Sequence, residues 1–392
     1  MHKIKNQIKK TLHSETFPSI MLLLITLLTI IFVNTGHNEA YNHFLHLKFS
    51  CLPGKLGEMT IHHWINDWLM AIFFFMVGLE IKREVFVGNL SSYHKATLPI
   101  IAAIGGIIFP ILIFKLLNQH PDANSGWAIP MATDIAFSLG IIKLLGNRVP
   151  TSLKVFLTAF AVADDLGAIV VIALFYSAEI NTAYILYGLL ILGFMSILSF
   201  YKRYSLWFYM ALGTIVWYLF LISGIHSTIA GVLLAFTIPL MQRKQRKFPV
   251  KQLEKFWHPW VGFFIMPLFA FANAGVVFGN ELSHFDVSSA IAGGLILGKM
   301  LGISLFCFIA IKLRFSKMPA GASPQQLFFT ALLGGVGFTM SLFIAELSFN
   351  PDTQTQLLDA SKIGILMGSL IAGIGGYFGL KFVSKNKKKS KN

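Results

Sequence analysis

Two adjacent aspartates interrupt an apolar run near the middle of the chain. Residues 160–171 read FAVADDLGAIVV, so Asp164 and Asp165 have more than one helical turn of apolar residues on either side. Carboxylates bind cations and protons, and two of them held close together in a partly dry site raise each other's proton affinity. Neighbours on a helix point about 100° apart, so the two side chains can serve different partners. The pair predicts a site where a cation and protons compete.

Two further charged residues stand in similarly apolar surroundings. Thr133 and Asp134 follow Pro130 in WAIPMATDIAFSLG, and Lys299 lies among small residues in AGGLILGKMLG. A lone buried acid often does no more than join two helices by a hydrogen bond, but three acids together favour a functional site. Lys299 is the natural counter-charge, because it lies about halfway along its segment, too deep for its ammonium to reach water easily.

The elements that must position these residues are membrane-spanning helices. The chain has 392 residues, 55% hydrophobic and 12% charged, against about 25% charged in soluble proteins. Apolar runs near the ~20 residues that cross a bilayer recur along the whole length. The sequence predicts an all-α polytopic membrane protein, built as one domain over residues 1–392. The twelve predicted segments are roughly 17–35, 67–87, 97–117, 127–146, 151–176, 182–200, 206–222, 224–241, 257–278, 288–311, 326–349 and 361–381.

The distribution of basic residues fixes the orientation of these segments. With a cytoplasmic N-terminus, 27 of the 32 Lys and Arg residues fall on the inner side and four on the outer side, and Lys299 lies within a segment. This asymmetry is the positive-inside rule, and it predicts that residues 1–16 and the basic tail 382–392 are both cytoplasmic. Anionic lipid accounts for the net charge of +15, so the sequence gives no reason to expect a nucleic-acid partner. Cys51 and Cys307 predict neither a disulfide nor a metal site.

Segments four and eleven carry helix-breaking residues in corresponding places. Pro130 interrupts the fourth segment, and Gly334, Gly335 and Gly337 interrupt the eleventh in LLGGVGFTMSLF. Because they are seven segments apart, the two run in opposite directions, as an inverted-topology repeat requires. Interrupted helices in corresponding halves are typical of a transporter's ion site. We expect Asp134 to balance the exposed helix N-termini and Lys299 the C-termini.

Several stretches together resemble one family over nearly the whole chain. The residues FFFMVGLEIKRE, AIPMATDIAFSLG, FLTAFAVADDLGAIVVIALFY, SGIHSTIAG, HPW, PLFAFANAG, LILGKMLGISLFCF and GGVGFTMSLFIA resemble the NhaA-type Na+/H+ antiporters. The resemblance implies a bacterial inner-membrane transporter that expels Na+ or Li+ in exchange for protons, driven by the proton-motive force, without a cofactor. It implies that Asp165 is the main cation ligand, with Asp164 in the same site and able to pair with Lys299. Thr133 and Asp134 match the family's unwound fourth helix.

A second group of residues resembles positions that the family associates with pH response. From the residues alone, Glu80, Arg83 and Glu84 indicate an interfacial ion-pair set rather than a functional site, and Glu346 and Asp67 are expected to be hydrated. Lys255 departs from the pattern, because the family can carry a histidine there. It lies in VKQLEKFWHPW, which has one apolar face and is expected along the membrane surface. The matching positions are Glu80, Arg83, Glu84, His226, Glu254 and His258.

The residues by themselves leave three functions open. In an antiporter, protons and a hard cation would compete for the same carboxylates during alternating access, with Thr133 and unwound carbonyls as further oxygen ligands. An intramembrane aspartyl protease would also use two aspartates, but it needs Tyr-Asp and Gly-x-Gly-Asp, whereas Asp134 follows Ala-Thr and Asp164 follows Val-Ala. A cation channel is the nearer alternative, and uphill Na+ movement driven by a proton gradient separates it from an antiporter.

Residues 36–66 form a long loop on the outer side. KFSCLPGKLGEMTIHHW has a Pro-Gly turn between two short β-forming stretches, although a plain hydrated loop fits as well. The family resemblance implies a β-hairpin that helps to build a homodimer.

Overall fold

The computed structural model describes residues 17–48, 53–177, 180–201, 205–240, 249–278, 284–351 and 353–389. Within these ranges the regular structure is helical, with one isolated β-bridge and no β-strand. The predicted all-α class of polytopic membrane protein is confirmed. The residues near the N-terminus and the last three residues of the predicted basic tail lie outside the described ranges.

A helical element occupies each of the twelve predicted positions. They are α1 (Phe17–Leu45), α2 (Ile61–Phe86), α3 (Tyr93–Leu117), α4 (Pro121–Met131, then Ile135–Leu144), α5 (Thr151–Phe175), α6 (Thr182–Phe200), α7 (Leu206–Ser223), α8 (Ile229–Thr237), α9 (Pro249–Trp260, continued by Val261–Ile265 and Met266–Asn273), α10 (Phe285–Lys312), α11 (Pro324–Leu333, then Phe338–Ser348) and α12 (Thr355–Lys389).

Most of these elements are long and apolar enough to cross a membrane. In the described ranges eight continuous helices meet that condition, and α4 and α11 raise the number to ten if each broken segment counts once. The two halves of α4 meet at 47° and those of α11 at 45°, which confirms the two predicted interruptions. The first half of α11 begins with a capping box, in which Ser323 and Gln326 exchange side-chain hydrogen bonds with each other's backbone N–H.

Two predicted spans have different bounds in the structure. The eighth was predicted over 224–241, but α8 contains only nine residues. Gly224 ends α7 in the left-handed region with a φ of 86°, and Pro239 forces Ile238 into extended backbone, so neither end of α8 can lengthen. The ninth was predicted to begin at 257, but α9 begins at Pro249, because the amphipathic stretch before the span continues it as helix.

The loop 36–66 contains one isolated β-bridge and no strand in its described part, and residues 49–52 lie outside the described ranges, so the β-hairpin stays a prediction. Helix α1 continues beyond a kink at Gly36, and Lys55–Glu58 and Ile61–His63 form short helical turns. A single antiparallel bridge joins Lys48 to Thr60, next to a hydrogen bond from Ile61 N to Leu47 O of 3.0 Å.

The described residues fall into two compact units. The first contains the described residues within 1–34, 92–165 and 273–392, and the second contains those within 35–91 and 166–272. Each unit is assembled from separated stretches of chain, so neither corresponds to a contiguous sequence domain. The prediction of one transmembrane domain stays a prediction. In the first unit, a buried core that includes Leu153, Phe160, Ile303 and Leu333 joins α5, α10 and α11.

Candidate ion-binding site

Lys299 and Asp164 form a buried charged pair within the first unit. The Lys299 ammonium donates to both carboxylate oxygens of Asp164, at 2.9 Å and 2.7 Å. The two side chains are 0% and 1% exposed, so water scarcely reaches either charge. Two opposite charges this close and this dry attract each other strongly, and each makes the burial of the other tolerable. The depth of Lys299 predicted that it is a counter-charge, and the family resemblance implied that its partner is Asp164.

Glycines let α10 bring Lys299 to this depth. At Gly302 an added Cβ would lie 2.1 Å from the carbonyl oxygen of Gly105 on α3, and at Gly105 it would lie 2.3 Å from that of Gly302. Neither position has room for a side chain, so the backbones of α3 and α10 touch one turn from Lys299. The small residues around Lys299 therefore serve close packing, as the sequence indicated.

Asp165 and Phe160 complete the surroundings of the pair. Asp165 is 2% exposed and contributes a favourable electrostatic interaction with Lys299. The Phe160 ring lies on the other side of the ammonium, with its centroid 5.6 Å from Nζ. The negative face of an aromatic ring attracts a cation at this distance. Lys299 is therefore held by one carboxylate in direct contact, a second one nearby and a ring.

The two broken segments cross beside this pair and exchange hydrogen bonds. Thr133 donates its hydroxyl to the Gly334 carbonyl at 2.7 Å, and Ser138 donates to Leu333 at 2.8 Å. Further along, Ser341 donates to the Ile129 carbonyl at 2.9 Å. Residue numbers rise along α4 as their partners' numbers fall along α11, so the two segments run in opposite directions. This is the arrangement that an inverted repeat predicts.

Asp134 caps two helix N-termini at once. One carboxylate oxygen accepts from Phe137 N at 3.1 Å, at the start of the second half of α4. The other accepts from Thr339 N at 3.2 Å and from the Thr339 hydroxyl, at the start of the second half of α11. Both helix ends carry partial positive charge and unsatisfied N–H groups, which one buried carboxylate neutralises. The predicted role of Asp134 at the N-termini is confirmed.

The Lys299 ammonium is paired with Asp164, and its predicted balancing of the helix C-termini stays a prediction. The carbonyls at the end of the first half of α11 accept from Thr133 and Ser138. Hydroxyls are short and are placed on the crossing segment itself, whereas the Lys299 ammonium is already engaged by Asp164. The Thr133 side chain also lies within hydrogen-bonding reach of the Asp164 carboxylate. Thr133 thus connects the crossing to the ion pair.

A second charged cluster lies in the second unit. Arg83 on α2 donates from Nε to both oxygens of Glu254 at 3.0 Å, and from Nη1 to Glu84 at 2.5 Å. Glu80 lies farther from it, at 3.9 Å from Nη2. Glu84 also accepts from Asn89 N at 2.8 Å. Four of the predicted pH-response residues therefore form one network around a single arginine.

Glu254 lies in the amphipathic part of α9 that precedes the predicted span 257–278. Burial raises the pKa of its carboxyl above the ordinary value, and the charge of Arg83 opposes that rise. Arg83 is 34% exposed, Glu80 23% and Glu254 18%, so these three are better hydrated than the Asp164 pair, whereas Glu84 is only 4% exposed.

The remaining predicted pH-response residues are Lys255, His258 and His226. Lys255 and His258 are exposed, and both lie within about one turn of Glu254 on α9. The ring of His226 lies 2.8 Å, Nδ1 to Oγ1, from Thr228, within the turn that leads into α8. Lys255, the position that departs from the family, is thus an exposed neighbour of Glu254.

Two acids that were expected to be hydrated have protein partners. The Glu346 carboxylate lies 2.8 Å from the Lys362 ammonium, and both side chains are nearly buried. Asp67 accepts from the Ser227 hydroxyl at 2.7 Å. The prediction for Glu346 was wrong, because nearness to a segment end does not reveal which neighbouring helix covers it. Asp67 is half-buried, and its hydration stays a prediction.

Sequence reasoning missed the polar partners that complete the crossing. Thr339, Ser138 and Ser369 had no charge to mark them, although Ser369 accepts from Phe338 N at 3.1 Å. The available signal was the presence of hydroxyl residues beside the glycine break of α11 and the proline break of α4. A break leaves backbone N–H and C=O groups without helical partners, and in a membrane such groups need hydrogen bonds from side chains. In the part of the chain that the structure describes, three or more His, Cys, Asp or Glu residues nowhere form a metal-binding group.

This fold and these buried charges define a polytopic membrane transporter, not an enzyme. The chain belongs to the Na+/H+ antiporter 1 family, whose model matches residues 9–380. It is 45% identical over 385 residues to the Na(+)/H(+) antiporter NhaA of Mannheimia succiniciproducens, covering 97% of this chain and 100% of that protein. It is also 45% identical to that of Tolumonas auensis, covering 95% and 94%, and 43% identical to that of Aliivibrio salmonicida, covering 94% and 96%.

Proposed function

We propose that this protein exchanges Na+ for protons across the membrane at a site formed by Asp164 and Asp165. The observation that carries the proposal is the buried Lys299–Asp164 pair beside Asp165, at the crossing of two broken helices. The names of the relatives support Na+ and protons as the exchanged ions. Carboxylate oxygens suit a hard cation such as Na+ or Li+. In this proposal Na+ and Li+ are transported substrates and not cofactors.

In this proposal the lysine and the cation compete for Asp164. When Na+ binds between Asp164 and Asp165, it replaces the Lys299 ammonium as the counter-charge. The lysine would then be a buried charge without its partner, a state that favours release of its proton. Asp165 releases a second proton as Na+ arrives. Two protons moving against one Na+ carry net charge, so we propose that the exchange is electrogenic and driven by the proton-motive force.

Thr133 and Asp134 support this site in different ways. The Thr133 hydroxyl oxygen is available as a further ligand once Na+ lies against Asp164, and its hydrogen bond to Gly334 keeps it in place. Asp134 is committed to two helix N-termini and to Thr339, so we assign it the role of holding the crossing together. Transport then needs the aspartates of α5 for binding and Asp134 for geometry.

We also propose that the Arg83 network adjusts transport to pH. Three carboxylates share one arginine there, and at least Glu254 holds its proton to a higher pH than an exposed glutamate. Loss of protons as pH rises would increase the negative charge around Arg83 and tighten the contacts between α2 and α9. Lys255 and His258 are exposed and are proposed to contribute less.

The location of the protein follows from the same family and from its charges. We propose the bacterial inner membrane, with both termini cytoplasmic, because basic residues accumulate on one side of the predicted segments. The proposal of a homodimer rests on the family resemblance alone. If the loop 36–66 contributes to a dimer, its shortening should weaken the dimer and leave transport by each chain intact.

The test is ion exchange in vesicles that contain the purified protein. A pH gradient is imposed, and its dissipation is followed after addition of Na+, Li+ or K+. We expect dissipation with Na+ and Li+ and uphill accumulation of Na+ when only the proton gradient supplies energy. Downhill Na+ flux without any uphill movement would identify a channel and overturn the proposal.

A further inference from the structure

An apolar groove of about 640 Å³ runs along α12 in the first unit. Its other walls are α1 and the second half of α4, and its floor includes Val336 and Phe338 from the break of α11. The hydroxyls of Thr26 and Ser369 at its edge already make hydrogen bonds with the protein. The groove therefore offers contacts to an apolar ligand rather than to a polar one.

The groove opens on the outside of the molecule at the depth of the spans. Leu23 of α1 is 51% exposed, and Met367 and Leu370 of α12 are 49% and 60% exposed. Side chains at these positions of membrane-spanning helices contact lipid. The lining of α12 runs from Ile363 to Phe378, roughly 22 Å along a helix, which exceeds one leaflet of a ~30 Å hydrocarbon core. A long, narrow, apolar and lipid-accessible groove fits an acyl chain.

A basic residue marks one end of the groove. The Lys381 ammonium lies 5.7 Å and 5.8 Å from the ring centroids of Tyr377 and Phe378, both of which line the groove. Lys143 directly precedes Leu144, which lines the same groove on α4. A lipid whose chain enters here would meet positive charge at its headgroup.

We propose that this groove binds one acyl chain of a phosphatidylglycerol molecule, whose phosphate lies against Lys381. The bound chain contacts Phe137, Val336 and Phe338, which belong to the crossing of α4 and α11. Val336 accepts from Asp134 N at 2.6 Å, and Phe338 donates to Ser369. The lipid thus packs against the backbone that holds Asp134 and stabilises the crossing from its lipid-facing side. This site is separate from the ion-binding carboxylates.

The proposal is tested with the full-length protein in phosphatidylcholine vesicles that contain phosphatidylglycerol with a diazirine in one acyl chain. After illumination, labelled residues are located by peptide mass spectrometry. Met367→Trp and Leu370→Trp each fill the groove. Ile371→Trp is the matched control, because Ile371 is 48% exposed on the same helix but does not line the groove. Thermal unfolding establishes that each variant is folded.

We expect labelling to concentrate on lining residues of α1 and α12. Each groove-filling variant should lower it about tenfold, the factor expected when roughly two methylene groups lose their buried contacts. Ile371→Trp should leave it unchanged. Lys381→Gln should lower labelling by phosphatidylglycerol and not by a phosphatidylcholine with the same diazirine chain. Equal labelling of all three Trp variants would mean an ordinary lipid shell, and cross-links to a second copy of the chain at the groove would mean a protein occupant. Either result overturns the proposal.

Discussion

The Asp164–Lys299 pair and the Arg83 cluster hold their charges in opposite ways. The pair matches one acid with one base, both almost completely buried. The cluster sets three acids around one arginine that remains 34% exposed. A dry, matched pair leaves an uncompensated charge when either partner is removed, whereas a hydrated, unmatched cluster can redistribute protons and water. The pair suits an exchange of one bound cation for another, and the cluster suits a graded response to pH.

The largest effect is expected at the buried site. Asp165→Asn should abolish Na+-dependent dissipation of a pH gradient, because the amide keeps the shape but loses the charge that holds Na+ or a proton. Asp164→Asn should be similarly severe. Asp122→Asn, which alters an exposed acid of the same unit, is the control and should exchange normally. Retained exchange in either buried variant would remove that residue from the site.

Stability should distinguish the pair most clearly from an exposed charge. Lys299→Ala should lower the free energy of unfolding by roughly 3–5 kcal/mol, since it leaves the Asp164 carboxylate buried without its partner. Adding Asp164→Asn should recover much of that loss, and thermal unfolding of the single and double variants measures both changes. Lys115→Ala, at the end of α3, should be neutral. An unchanged melting temperature for Lys299→Ala would argue that the pair does not form.

A smaller loss is expected at the crossing that supports the pair. Thr339→Val should destabilise the protein by roughly 1.5–3 kcal/mol, the usual worth of a hydrogen bond to a charged group. Thr330→Val is the matched control, since Thr330 is buried on the same segment but donates only to Gln326 of its own helix. Thermal unfolding of the two variants compares them directly, and a larger loss at Thr330 would contradict the role assigned to Asp134.

At the hydrated cluster the expected effect is a shift rather than a loss. The charge of Arg83 lowers the pKa of Glu254 against the effect of burial. Arg83→Gln removes the positive charge that lowers the pKa of Glu254, so Glu254 should keep its proton to higher pH. The pH dependence of Na+/H+ exchange should therefore move in the alkaline direction. Exchange is measured across about pH 6 to 9 at saturating Na+, a range that brackets histidine and raised carboxyl pKa values. A profile that moves to lower pH would show that the network acts through another group.

The smallest effects are expected at the exposed face of α9. Lys255→His and His258→Ala change exposed residues, whereas Arg83 is hydrogen-bonded to Glu254, so each should move the pH profile less than Arg83→Gln does. Profiles at limiting and saturating Na+ separate a sensor from simple competition between Na+ and protons. A large shift from Lys255→His would place the pH response on this surface and weaken the comparison between the two clusters.

The sequence revealed charges in unusual surroundings more readily than it revealed their partners. A buried aspartate or lysine stands out in an apolar run, so Asp134, Asp164 and Lys299 could be found without a structure. The breaks of α4 and α11 were also visible, because proline and glycine mark them. Which groups meet across a crossing depends on three-dimensional packing, and so the hydroxyl of Thr339 gave no comparable signal.

The bounds of α8 were mispredicted for a related reason. An apolar run indicates burial but not where a helix ends, and Pro239 decided that end locally. Local sequence therefore predicted the membrane class and the two helix breaks well, and predicted the ends of α8 and α9 poorly.

The contact between Gly105 and Gly302 limits how the lysine can move. With no room for even a methyl group between the two backbones, α3 and α10 cannot slide past each other without a clash and must shift as one rigid body. The backbone of Lys299 therefore moves together with both α3 and α10. Its separation from Asp164 during transport must come from rotation of its own side chain or from movement of α5, which makes α5 the element to follow in time-resolved measurements.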